Sequence, residues 1–140
     1  MRTLSIVSLA LVLLLSGCNK DDGPEFTSPE GDWTYTTADG KISVDFTVVK
    51  SGNNFDAEAK AMSVDGVSCE SIVQAASVTA TSIGSIRINA NDSKVTYDYV
   101  ILFTDITISS DFKEMKVPGG SYTWPIDKTN QLKDITISRK

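Results

Sequence analysis

From Gly31 onward the chain alternates apolar and polar residues with a period of two. Ile42, Val44, Phe46 and Val48 share one parity and Ser43, Asp45 and Thr47 the other, the pattern of a strand with one wet face. Phe55, Ala57, Ala59 and Ala61 oppose Asp56, Glu58 and Lys60 in the same way. Ile86 and Ile88 oppose Arg87 and Asn89, and Val95, Tyr97, Tyr99, Ile101 and Phe103 oppose Lys94, Thr96 and Asp98. Met115 and Val117 lead through Gly119-Gly120 to Tyr122, Trp124 and Ile126, and Ile135, Ile137 and Arg139 lie on a last strand. Ser68 to Ala76 reads either as a short helix or as an irregular strand, with Val78 to Ile83 as its extension.

Turn signals punctuate these runs at short intervals: Ala38-Asp39-Gly40, Ser51-Gly52-Asn53-Asn54, Asp65-Gly66, Ile83-Gly84-Ser85, Asn91-Asp92-Ser93, Ser109-Ser110-Asp111, Gly119-Gly120 and Lys128-Thr129-Asn130. Short turns join antiparallel neighbours, so the expectation is an all-β domain of about eight to ten strands. An antiparallel up-and-down meander closed into a barrel and a two-sheet β-sandwich both fit; closure has the advantage of leaving no strand edge exposed.

The pattern upstream of Gly31 is different. Arg2 precedes an apolar run, Leu4 to Leu15, of signal-peptide length and too short to span a bilayer. It ends in Leu15-Ser16-Gly17-Cys18, which resembles the lipobox of bacterial lipoproteins, and Asn19-Lys20-Asp21-Asp22 resembles the acidic export signal of Bacteroidota-type lipoproteins. The resemblance implies a signal peptide over residues 1–17, lipidation of Cys18, a flexible linker over 18–30 and one β domain over 31–140. It further implies an outer-membrane protein held by its lipid and exposed at the cell surface, with a periplasm-facing anchor as the alternative.

Composition narrows the chemistry. At 140 residues there is room for one domain with its own core. Thirteen Lys and Arg face 18 Asp and Glu, for a net charge of -5, so a phosphate-neutralising nucleic-acid binder is not expected. No His is present, which removes the commonest general base and metal ligand. Once Cys18 is lipidated, Cys69 is the one remaining thiol; its neighbour Glu70 does not activate a thiolate, and it reads as a small half-buried hydrophobe. Asp45, Asp98 and Asp105 are the carboxylates considered for a hydrolase, but Asp45 and Asp98 fall on the polar parity, and no calcium-loop spacing or phosphate cradle occurs. No enzyme activity, metal or cofactor is expected.

Gly31-Asp32-Trp33 at the first strand, with Arg139 on the last, resembles the lipocalin or calycin pattern. In that pattern a Trp plugs one end of the barrel and an Arg packs over its indole, which gives Trp33 and Arg139 a structural role in closing the barrel. In such a barrel three small residues on one inward face, Ala57, Ala59 and Ala61, leave volume, and Tyr97, Tyr99, Tyr122 and Trp124 line it. The leading expectation is therefore a lipocalin-like lipoprotein that binds a small apolar molecule or a glycan. The alternative is a filled core and a protein-interaction surface, as an accessory subunit of a surface complex or an enzyme inhibitor.

Overall fold

The computed structural model describes residues 23–91, 98–123 and 128–140. The expectations for Cys18, Tyr97 and Trp124 lie outside the described residues. Eight strands follow one another: β1 (Gly31–Thr36), β2 (Ile42–Ser51), β3 (Asn54–Val64), β4 (Val67–Val78), β5 (Ser82–Asn91), β6 (Asp98–Ile108), β7 (Glu114–Thr123) and β8 (Thr129–Arg139). Each pairs antiparallel with the next, and β1 pairs with β8, so the sheet is a closed up-and-down barrel rather than a sandwich. The ambiguous Ser68–Ala76 stretch is the body of β4.

The two ends of the barrel differ. One carries the start of β1, the turns after β2, β4 and β6, and the end of β8; the other carries the β1–β2 and β3–β4 turns and the start of β8. At the first end, called here the closed end, Trp33 is fully buried. Ile83, Ile106, Met115 and Ile137 fill the layer around it, and Phe46, Phe103, Ile86, Ile88 and Ile101, each at most 1% exposed, fill the interior above. Close packing of side chains this large leaves little inward volume along these strands.

A break in the alternation crosses five strands. The ladders skip Ser77 with Gly84, Gly84 with Asp105, Asp105 with Pro118 (and Ile106 with Val117 beside it), and Pro118 with Asp134, so Ser77, Gly84, Asp105, Pro118 and Asp134 form one line from β4 to β8. Ser77, Asp105 and Asp134 have φ of 55°, 55° and 49°. A left-handed residue rotates the pleat, and because the break is shared across the line the register on either side is kept. Inward positions accordingly step by three across it, from Ile83 to Ile86, Phe103 to Ile106 and Ala75 to Val78. Gly84 and Gly119-Gly120 are therefore strand residues, not turns. Gly120 is required because a Cβ there would collide with the Leu102 carbonyl.

A second break corrects the expectation for β3. Asp45 pairs with Ala61 and Phe46 with Ala59, so Lys60 is an extra residue and the parity switches there. Beyond it Met62 and Val64, not Ala61, are buried. Of the three alanines only Ala57, paired with Val48, is buried; Ala59 and Ala61 are exposed. The expected inward face of three small residues does not exist.

Candidate functional site

At the closed end the residues singled out at the two chain extremes meet. Trp33 is paired with Arg139 across β1 and β8. The Arg139 guanidinium carbon lies 5.5 Å from the Trp33 ring centroid and 3.8 Å from that of Phe26. Nη1 donates to the carbonyls of Ser28 at 2.8 Å and Phe112 at 3.3 Å, and Nη2 donates to the carbonyl of Glu30. The Trp33 indole N–H donates to the Pro29 carbonyl at 2.9 Å. Burial lowers the Arg139 pKa against the pull of Asp32 and Glu30, yet a guanidinium stays charged, and its planar donors go to these backbone oxygens.

Gly31 belongs to this arrangement. Its φ is +135°, and a Cβ on it would lie 2.6 Å from Arg139 Nη2. Gly-x-Trp is thus read physically: the glycine makes room for the guanidinium that covers the indole two residues on. The segment expected to be a free linker up to Glu30 is partly attached. Pro29 is buried, Phe26 is half-buried, and Ser28, Pro29 and Glu30 supply the carbonyls just described.

At the opposite end the wall opens. β1 and β8 share only the Trp33–Arg139 and Thr34–Ser138 pairs, so past Thr34 the two strands lose their ladder. A cleft of about 300 Å³ lies there, lined by Tyr35, Thr37, Ala38, Asp39 and Tyr122 together with Gln131 to Lys133 and Ile135. Tyr35 is held by an edge-to-face contact with Phe103 at 5.5 Å and 86°. Burial raises its pKa, and nearby Tyr122 and Asp39 raise it further, so the hydroxyl is neutral and free to donate near pH 7.

The rim of the cleft is set by a small network. The Thr37 hydroxyl accepts from Ile42 N at 3.0 Å and donates to Asp39 Oδ1 at 2.6 Å, which also accepts from Lys41 N at 3.0 Å. The Thr37 bond, then the Lys41 amide, hold the Asp39 carboxyl below its ordinary pKa, so it is ionised in neutral solution. Lys41 pairs with Asp65 at 2.8 Å and ties this turn to the β3–β4 turn. Two tyrosines, Asp39, Gln131 and Lys133 thus line one open cleft, residue types that suit a hydroxyl-rich ligand with an apolar face.

Among the residues expected to line a ligand, Tyr122 is at this cleft, Tyr99 is buried in the core, and Ala57 lies toward the far end of β3. Tyr35, Asp39, Gln131 and Leu132 were not singled out in the sequence; Tyr35 shares the inward parity of Trp33, which is the signal that marks it. Of the carboxylates considered for hydrolysis, Asp45 and Asp105 do not gather, and the Asp98 side chain lies outside what the structure describes. Asp45 pairs with Lys140 on the outer face: burial works against its ionisation, but Lys140, Thr34 and Lys60 outweigh it and leave the carboxyl below its ordinary value. Asp105 lies on the line of broken pairing in β6, a strand that is not a neighbour of β2. Among the described residues no three acidic or thiol side chains are grouped to hold a metal ion. Cys69 is half-buried, and its thiol donates to the Val67 carbonyl at 3.5 Å. No family model, curated protein or solved structure matches the chain.

Proposed function

We propose that the protein is a lipid-anchored, non-enzymatic binding domain of the outer membrane, surface-exposed, that takes a glycan or a comparable small hydroxyl-rich molecule in the Tyr35–Tyr122 cleft. The observation that carries the reading is that cleft: two tyrosines beside a carboxylate and other polar side chains, at the end of the barrel where β1 and β8 lose their ladder. The large buried side chains argue against an apolar ligand enclosed in the barrel and move the binding position to the rim. The lipid anchor rests on the Leu15-Ser16-Gly17-Cys18 motif.

Titration with a panel of neutral di- to tetrasaccharides and aryl glycosides tests the reading. Saturable binding that Tyr122→Ala weakens by roughly tenfold or more supports it, since stacking on an aromatic face contributes on the order of 1 kcal/mol or more. No saturable binding across the panel would count against it. The anchor is tested separately: Cys18→Ala releases the protein from washed membranes, and a variant retained there contradicts lipidation at that residue.

A protein-interaction role is the second reading, favoured by one feature. Ile72 is 66% exposed on the outer face of β4, with Val67 39% exposed on the same strand. Ile72→Lys separates the two readings: it abolishes capture of a protein partner and leaves saccharide binding unchanged.

A further inference from the structure

We infer that the packed N-terminal segment fixes the barrel's orientation at the membrane, with the closed end toward the lipid and the Tyr35–Tyr122 cleft directed away from it. The inference rests on the lipid anchor at Cys18 and adds to it the direction in which the domain is presented.

The argument is one of lengths. Phe26, Ser28, Pro29 and Glu30 are held against the closed end by Arg139 and the Trp33 indole. Gly23 lies beside Lys113, in the turn between β6 and β7 at that same end. Eight residue steps separate Cys18 from Phe26, the first residue with an attaching contact, and at 3.3 to 3.6 Å per step the chain between them spans at most roughly 29 Å. The long strands have 10 to 12 residues. At about 3.3 Å rise per residue and about 40° tilt, the barrel is roughly 25 to 30 Å from end to end. An inverted barrel, cleft toward the bilayer, would need that tether drawn out to essentially its full length, at the entropic cost of a fully extended chain. Were residues up to Glu30 unattached, thirteen steps from Cys18 to Gly31 would span up to roughly 45 Å, and inversion would be allowed. The Arg139 contacts are what make the difference: they shorten the tether's greatest reach to about the length of the domain.

Two labelled positions read the orientation. Asn53, in the closed-end turn between β2 and β3, and Ser68, next to the open-end turn between β3 and β4, are both exposed. In the full lipidated chain carrying Cys69→Ser, a fluorophore is placed on Asn53→Cys or Ser68→Cys, and energy transfer to an acceptor on the lipid headgroups of phosphatidylcholine vesicles is measured. Transfer is expected to be clearly higher from Asn53. A twelve-residue Gly-Ser insertion between Lys20 and Asp21, which leaves every described residue unchanged, is expected to bring the two positions toward equality. Arg139→Ala, checked for an unchanged far-ultraviolet spectrum, is expected to do the same. Equal transfer from the two positions in the unextended chain, higher transfer from Ser68, or a difference that survives the insertion would overturn the inference while the anchor stands. Failure of the lipidated chain to float with vesicles would overturn the anchor reading and the inference with it.

Discussion

The closed and open ends of this barrel are built from the same strands but resolve the same problem in opposite ways. At the closed end β1 and β8 are paired, Trp33 is fully buried, and Arg139 donates to two backbone carbonyls of the incoming chain, Ser28 and Glu30, and to that of Phe112 in the β6–β7 turn. At the open end β1 and β8 lose their ladder, and the gap is lined by tyrosines and polar side chains around a cleft of about 300 Å³. The closed end anchors the incoming chain while the opposite end leaves β1 and β8 apart, and irregular ends of rigid scaffolds are where recognition groups collect.

The comparison can be broken most strongly at Trp33. Trp33→Ala empties the plug and removes the surface on which Arg139 rests, and should cost about 3 to 5 kcal/mol, read as a large drop in thermal midpoint. Next comes Gly31→Ala, which places a Cβ against the guanidinium at a φ of +135° and should cost on the order of 2 kcal/mol. Arg139→Lys should be intermediate, since a lysine keeps the charge but cannot serve three carbonyls from one plane, and chemical denaturation of the two variants orders them. At the open end the effects reverse in kind. Tyr122→Ala should cost less than about 1 kcal/mol of stability, because the residue is only half-buried, while weakening saccharide binding. A stability loss at Tyr122 as large as that at Trp33 would erase the distinction.

The smallest expected effect is a pH dependence shared by both ends. Asp32 is held below its ordinary pKa by Lys60 and Thr47 near the closed end, and Asp39 by Thr37 and the Lys41 amide at the open end. A carboxyl depressed in the folded state stabilises it above its unfolded value, near pH 4, and loses that contribution as pH falls through the folded value. Thermal midpoints should therefore be flat through neutral pH and fall below about pH 4. Asp39→Asn should flatten a small part of that decline, and a midpoint that rises on acidification would contradict the assignment.

Much of the fold is written in the alternation. β2 is an unbroken case, with Ile42, Val44, Phe46 and Val48 all buried, and it predicts its own partner faces. The alternation fails where a single residue rotates the pleat. Ser77, Asp105 and Asp134 adopt left-handed φ inside strands, and their side chains do not distinguish that from a turn or an ordinary polar position. Gly84 and Gly119-Gly120 give strong turn signals, but the glycines serve close backbone approach and a shared break in pairing. Lys60 carries no local mark at all, and it moved Ala61 from the expected inner face to the outer one.

The candidate site was legible in part and for a similar reason. Trp33 and Arg139 stand out because the pairing of first and last strands is implied by closure, and Tyr122 because an aromatic near a strand end is conspicuous. The cleft itself comes from where β1 leaves β8, a long-range event that no local pattern encodes. Phe26 had a readable sign that linker composition obscured: a lone aromatic in a Pro-, Gly- and acid-rich stretch, with the interior of the domain five to seven residues away.

The most direct test of the account is a nuclear magnetic resonance titration of the isotope-labelled domain with the best saccharide or aryl glycoside from the panel. The account predicts shift changes confined to Tyr35, Thr37 to Asp39, Tyr122 and Gln131 to Ile135, with the Trp33 indole N–H signal unmoved. Changes centred on Trp33 and the buried isoleucines, or on Ile72 and the outer face of β4, would contradict it.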